Sequence, residues 1–225
     1  MLVDPHNQLY YPFENQANDY SGHARHGTVN GSGVYATKPN GGRCLYFDGT
    51  GDYVTTPSFG LSGTVVVFAA DVRCKFNATV AQLLLYNGPS SDADFVQCYR
   101  AANTNVLTWA YRNGASYELA TCADYFTSPY NDAWLHMIIV CDFAGKHTYF
   151  YRNGILVSTF NMTGTPVFPS TTRVRYIGSS TFQYFLTAGY LANVYLGTLP
   201  TCPSVAELTA NATRLMLGLH PIWSV

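Results

Sequence analysis

Apolar positions along this chain come in strand-length runs, and a helix-period stripe is absent until the C-terminal segment. The clearest stretch runs from Trp134 to Val157. Leu135 to Phe143 is an apolar run ending at an Ala-Gly-Lys turn, and His147 to Tyr151 is a Thr/Tyr/Phe-rich segment suited to a pleated surface. Asn153-Gly154 then supplies two residues that tolerate φ > 0, as a type I′ hairpin requires, before a third strand returns from Ile155. The same pattern predicts strands near 9–13, 43–47, 52–56, 64–74, 80–87, 94–99, 105–111, 115–121, 135–143, 147–152, 155–161, 172–178 and 186–197. Turn residues fall at 40–42, 49–51, 87–89, 113–114 and 153–154. Many strands with short antiparallel connections suit two packed sheets.

Composition agrees. Tyr (18) and Phe (13) are abundant and Gly (19) punctuates at short intervals, which is strand-and-turn chemistry. A chain of 225 residues fits one large all-β domain, able to bury about 70% of its unfolded surface. The expected fold is all-β, a two-sheet antiparallel β-sandwich (jelly roll) with a short C-terminal helix and an apolar tail. Residues 1–203 form the sandwich. Residues 204–225 form a closing helix and tail, packed on the same domain or on a neighbour.

Charge narrows the function. Only 11% of residues are charged, against roughly 25% in ordinary soluble domains. Such a surface suggests a recognition module outside the cell or a subunit largely covered by neighbours. A net charge of −1 without a basic cluster argues against nucleic acid as partner. The longest apolar runs, such as Val65 to Ala70, are too short to insert in a membrane. Met1 to His6 shows no basic n-region or apolar h-region, so no signal peptide is read in this chain. The six cysteines are widely spaced and contain no Cys-x-x-Cys pair, which argues against structural zinc. Disulfides and buried free thiols both remain open.

Several motifs occur in one order. Tyr11-Pro-Phe-Glu-Asn-Gln-Ala-Asn-Asp-Tyr-Ser-Gly22 is followed by Cys44-Leu-Tyr-Phe-Asp-Gly-Thr-Gly-Asp-Tyr-Val54. Then come the Trp134-x-His136 start, the Asp-x-x-Gly-Lys turn, the Tyr-x-Asn-Gly hairpin, Ile177-Gly178, Ala188 to Leu196, and Pro203 to Leu208. This series resembles the laminin-G-like (concanavalin A-like lectin/glucanase) jelly-roll domains and spans about residues 9 to 210. The resemblance implies the sandwich fold. It does not select among lectins, adhesion modules, glycosidases and structural domains.

The resemblance also implies a calcium site near the Asn15–Gly22 loop, where Asp19 and backbone carbonyls offer the oxygens this hard cation needs. The family's last-strand Asp is here Ala192-Asn193, making Asn193 the helper; an Asx turn at Asp19 is the metal-free alternative. His136 stands where the family often has a packing and hydrogen-bonding histidine. A jelly-roll glucanase presents paired glutamates on one strand face. Glu14, Glu118 and Glu207 are far apart, so no enzyme activity is expected.

What remains is binding or assembly. A sugar ring would stack on a loop aromatic and take hydrogen bonds from neighbouring polar groups. Tyr125, Tyr130, Phe182 and Tyr184 are the candidate aromatics, with Arg100, Arg112 and Asn131 as polar partners; packing is the ordinary use of each. The expected function is a non-enzymatic module binding a glycan or glycoprotein ligand, extracellular or on a virion surface. The alternative is a structural virion protein (capsid, decoration or fibre subunit), assembling as a homo-oligomer or larger particle through residues 215–225.

Overall fold

The computed structural model describes residues 6–74, 81–87, 94–113, 116–164, 172–179 and 189–217, with Leu219 and Trp223. The strands are β1 (Asn7–Tyr11), β2 (Thr28–Asn30), β3 (Val34–Thr37), β4 (Arg43–Phe47), β5 (Tyr53–Thr55), β6 (Val65–Arg73) and β7 (Gln82–Tyr86). They continue as β8 (Asp94–Arg100), β9 (Leu107–Asn113), β10 (Ser116–Cys122), β11 (Trp134–Asp142) and β12 (His147–Arg152). The last are β13 (Ile155–Asn161), β14 (Tyr176–Ile177) and β15 (Gly189–Leu199), followed by helix α1 (Val205–Met216).

Two antiparallel sheets result. The first runs β13-β12-β11-β6-β15-β4-β3, with β1 added along β15; the second runs β10-β9-β8-β7-β14-β5-β2. The fold is the predicted all-β sandwich. Asn153 (φ 51°) and Gly154 (φ 79°) close the β12–β13 hairpin, both in the left-handed region that a type I′ turn demands. Two strands, β2 and β3, are additions to the expected set, and the strand expected at 172–178 contracts to β14 plus an isolated Phe59–Arg173 bridge.

β6 shows how the layers are organised. Its inward residues Val66, Phe68, Ala70 and Val72 meet Trp109, Tyr111, Leu84 and Ile139 in the main core between the sheets. Its outward residues Val65, Val67 and Ala69 join a second core with Ile138, Val140, Tyr195, Leu208, Ala212 and Trp223. That second core exists because α1 lies on the outer face of the first sheet. Ser204 Oγ accepts the Glu207 amide at 3.2 Å as an N-cap, Glu207 and Arg214 suit the two ends of the helix dipole, and Leu208 and Ala212 share one face. Trp223 joins this second core, and its Nε1 donates to Tyr195 Oη at 3.0 Å. Burying each large side chain of this second core contributes roughly 1.5–3 kcal/mol. All six cysteines are free, five of them buried.

Candidate functional site

Beyond the helix, the outer face of the first sheet changes from apolar to polar. Asp71 and Arg73 continue the outward row of β6, and Asp71 is only 8% exposed. A buried carboxylate needs donors, and three converge on this one. His136 Nδ1 lies 2.7 Å from Oδ1, while Lys38 Nζ and Asn193 Nδ2 donate to Oδ2 at 2.9 and 2.8 Å. Each donor comes from a different element. His136 faces Asp71 directly across the β6–β11 ladder. Asn193 occupies an irregularity in the pairing of β15 with β6, with φ at 49°, and its Oδ1 accepts the Tyr10 hydroxyl at 3.1 Å. Lys38 leads the 38–42 turn after β3, closed by a 2.6 Å bond from its own amide to the Gly42 carbonyl.

The hairpin turn completes the cluster. Asn153 Oδ1 accepts the His136 amide at 2.8 Å, and the Asn153 amide returns a 2.8 Å bond to the His136 carbonyl. A carboxylate at Nδ1 makes that nitrogen the donor of the bond. Nε2 is buried and makes no hydrogen bond. Burial pushes the Asp71 carboxyl up, but the hydrogen bond and charge of His136 and the charge of Lys38 outweigh it and hold the group below its usual value. The Tyr10 phenol is pushed up by burial and then by the charges of Asp71 and Glu14.

A cavity of about 280 Å³ opens over this cluster, lined by Lys38, Asn40, Asp71, Trp134, His136 and Asn153 among others. Half-buried Trp134 supplies an aromatic wall, and Lys38 Nζ sits 5.9 Å from its ring centroid. Trp134 also ends an in-register row across four strands, Tyr46–Tyr190–Arg73–Trp134. The Tyr46 and Tyr190 rings are 4.8 Å apart, Tyr190 and Trp134 5.9 Å, and the Arg73 guanidinium lies 5.5 Å from the Tyr190 centroid. The arrangement combines a flat ring with charged and amide groups held in fixed orientations.

The residues chosen from sequence mostly serve other purposes. Arg100 is a correction: it is 1% exposed and clamps a loop, donating to the carbonyls of Cys74 and Thr104 and to the side chains of Asn105 and Asn131. Tyr125 is another. It is fully buried, and its hydroxyl donates to the Tyr151 carbonyl at 2.6 Å. A loop aromatic is not thereby a surface aromatic. Tyr130 stacks under the Arg152 guanidinium at 3.7 Å, Asn131 is exposed but bound to Arg100, and Arg112 is half-buried on β9 in the second sheet. None of these five joins the Asp71 cluster. Phe182 and Tyr184 lie outside the described residues.

Asp19 does not fit a calcium ion as it stands. Its Oδ1 accepts the amides of Tyr10 and Ser21 at 3.0 and 2.9 Å, and its Oδ2 accepts Ser21 Oγ at 2.8 Å and the Arg25 amide at 2.9 Å. Four donors occupy the lone pairs a cation would need. Asn193 is likewise engaged, in the Asp71 cluster. Among the described residues no group of three or more His, Cys, Asp or Glu side chains is placed to hold a metal. Sequence reasoning passed over Asp71, Lys38 and Trp134, although a lone carboxylate inside the apolar run Val65–Val72 was a readable signal.

A two-sheet jelly roll with a polar pocket on one outer face defines a class of β-sandwich modules. Residues 47–196, more than half of the chain, match the laminin-G-like family described as the concanavalin A-like lectin/glucanases superfamily, and the chain belongs to it. Among curated proteins none matches significantly. The receptor-binding domain of botulinum neurotoxin D is similar in structure, with a TM-score of 0.72 at 12% identity over 96% of this chain and 54% of that one. The serotype D ligand-binding domain in complex with N-acetylneuraminic acid gives 0.69 at 11%, over 94% and 51%. A structure of botulinum neurotoxin type C, which depends on two ganglioside molecules to get into cells, gives 0.70 at 10%, over 95% and 52%. At these identities the likeness is one of fold. The chain spans about half the length of those domains.

Proposed function

We propose that this chain is a non-enzymatic recognition module that binds a glycan or glycoprotein ligand at the Trp134 pocket, in an extracellular or particle-surface setting. The observation that carries the reading is the pairing of an aromatic wall with a pre-ordered Asp71–His136–Lys38–Asn153 cluster on the open end of a sheet. Sugars are bound by this combination, a ring for the apolar face of the pyranose and fixed polar groups for its hydroxyls. Both Asp71 oxygens are already engaged, which supports binding over acid–base chemistry. Support for a carbohydrate ligand comes from the similar toxins, one whose cell entry depends on two ganglioside molecules and one whose domain is in complex with N-acetylneuraminic acid.

The test is a glycan array followed by calorimetry on wild type and Trp134→Ala. The expected outcome is a glycan whose affinity falls about tenfold or more in the variant, since an aromatic contact is worth about 0.5–1.5 kcal/mol beyond the area it buries and about 1.4 kcal/mol is tenfold. A protein that binds no glycan and instead forms a concentration-dependent oligomer would replace this reading with the structural-virion alternative.

A further inference from the structure

The Trp134 pocket does not end at Lys38. A second cavity of about 550 Å³ shares Lys38 and Asn40 with it and is lined further by Tyr10, Tyr20, Arg43 and Asn193. A third, of about 240 Å³, shares Glu14 and Tyr20 with the second and reaches Asn15, Gln16 and Asn18. The shared lining residues set the three side by side, as a groove running from Trp134 to the 15–18 loop. The 280 Å³ pocket alone falls short of the roughly 300–1,000 Å³ of ordinary ligand sites, whereas the adjoining 550 Å³ cavity falls within that range.

The lining specifies what the groove takes. Its formal charges balance, Lys38 and Arg43 against Asp71 and Glu14, and its other polar groups are mainly side-chain amides that both donate and accept. Tyr20, 49% exposed, presents a ring midway along. The far wall is pre-ordered: the four bonds to Asp19 pin the loop, the Gly27 amide bonds the Ala17 carbonyl at 2.8 Å, and Phe13 and Ala17 are buried in the core. A wall already ordered loses little entropy when a ligand arrives.

We propose, resting on the carbohydrate reading above, that the ligand is an uncharged linear oligosaccharide spanning this groove. Trp134 stacks one terminal sugar and Tyr20 stacks one further along. The Lys38–Asn40 turn bridges the two. A polyanionic glycan is disfavoured, because the two cationic side chains of the groove are offset in number by two carboxylates, with Asp71 pairing Lys38 directly.

The test uses cello-, chito-, malto- and N-acetyllactosamine oligosaccharides from one to about six units, with sialylated and sulfated counterparts, titrated into the full chain by calorimetry. Affinity should rise by about tenfold or more from the shortest to the longest bound member of a neutral series, with little dependence on salt. Tyr20→Ala should abolish that rise; the residue is surface-exposed, so the fold tolerates the change. Length-independent binding that still requires Trp134 would overturn the groove and leave the pocket standing. Binding confined to the anionic glycans, or to no neutral series, would overturn it as well. Absence of binding to every glycan would instead defeat the carbohydrate reading itself.

Discussion

One strand runs through two different surfaces on the outer face of the first sheet. Val65, Val67 and Ala69 of β6 are sealed under α1 and Trp223, while Asp71 and Arg73, the next two outward positions, are left to the pocket and its aromatic row. β6 keeps its register with β11 throughout, while its pairing with β15 shifts between the two surfaces, at Asn193, and the cover changes there too. Where the helix lies, period-two apolar positions become a second core. Where it does not reach, the same positions carry a carboxylate and a guanidinium and the neighbouring strands supply His136, Asn193 and Trp134. Cover thus decides which half of a sheet stabilises the fold and which half is free to bind.

Breaking the covered half should have the largest effect on stability. Trp223→Ala removes a nearly buried ring and its bond to Tyr195, and should cost about 4 kcal/mol, or on the order of 10 °C in thermal melts, with ligand affinity unchanged. Asp71→Asn breaks the open half instead. It leaves the Lys38 ammonium without its carboxylate and should cost about 3 kcal/mol in denaturant titrations, and it should also abolish ligand binding.

The same aspartate sets an acid limit. Its folded pKa lies below the ordinary 3.8, so its contribution to stability is complete above 3.8 and is lost as pH falls through the folded value. Melts across this range should show a steeper acid decline in wild type than in Asp71→Asn. A smaller effect is expected at the loop anchor: Asp19→Ala should cost about 1–3 kcal/mol through orphaned amides, read by the same melts. Smallest of all, millimolar calcium should leave the melting temperature of wild type unchanged, because the Asp19 oxygens already accept four donors.

The sequence made the sandwich legible where burial imposes a pattern. The apolar run before Phe143, the Thr/Tyr segment at 147–152 and the Asn153-Gly154 turn each announce β11, β12 and the hairpin within a residue or so. β2 and β3 carried no such signal: they are short, and their residues are half-buried or exposed, so no alternation marks them. The site was less legible for a related reason. Loop aromatics such as Tyr125 look exposed from their turn-rich surroundings, yet tertiary packing buries Tyr125 completely. Conversely, Asp71 was hidden within a strand, and its partners are distant in sequence, His136 by 65 positions and Asn193 by 122. His136 was read as a hydrogen-bonding residue, and it is one. Its partner needed three dimensions.

If the open half of this sheet face binds the glycan, the covered half should not respond to it. The chain has three tryptophans, Trp109 in the main core, Trp134 at the pocket and Trp223 under the cover. Their three indole N–H signals can be followed by NMR during titration with a glycan that binds. Binding at the open half should move the Trp134 signal while those of Trp109 and Trp223 stay in place. A ligand-dependent shift of Trp223, or binding that leaves Trp134 unmoved, would contradict it.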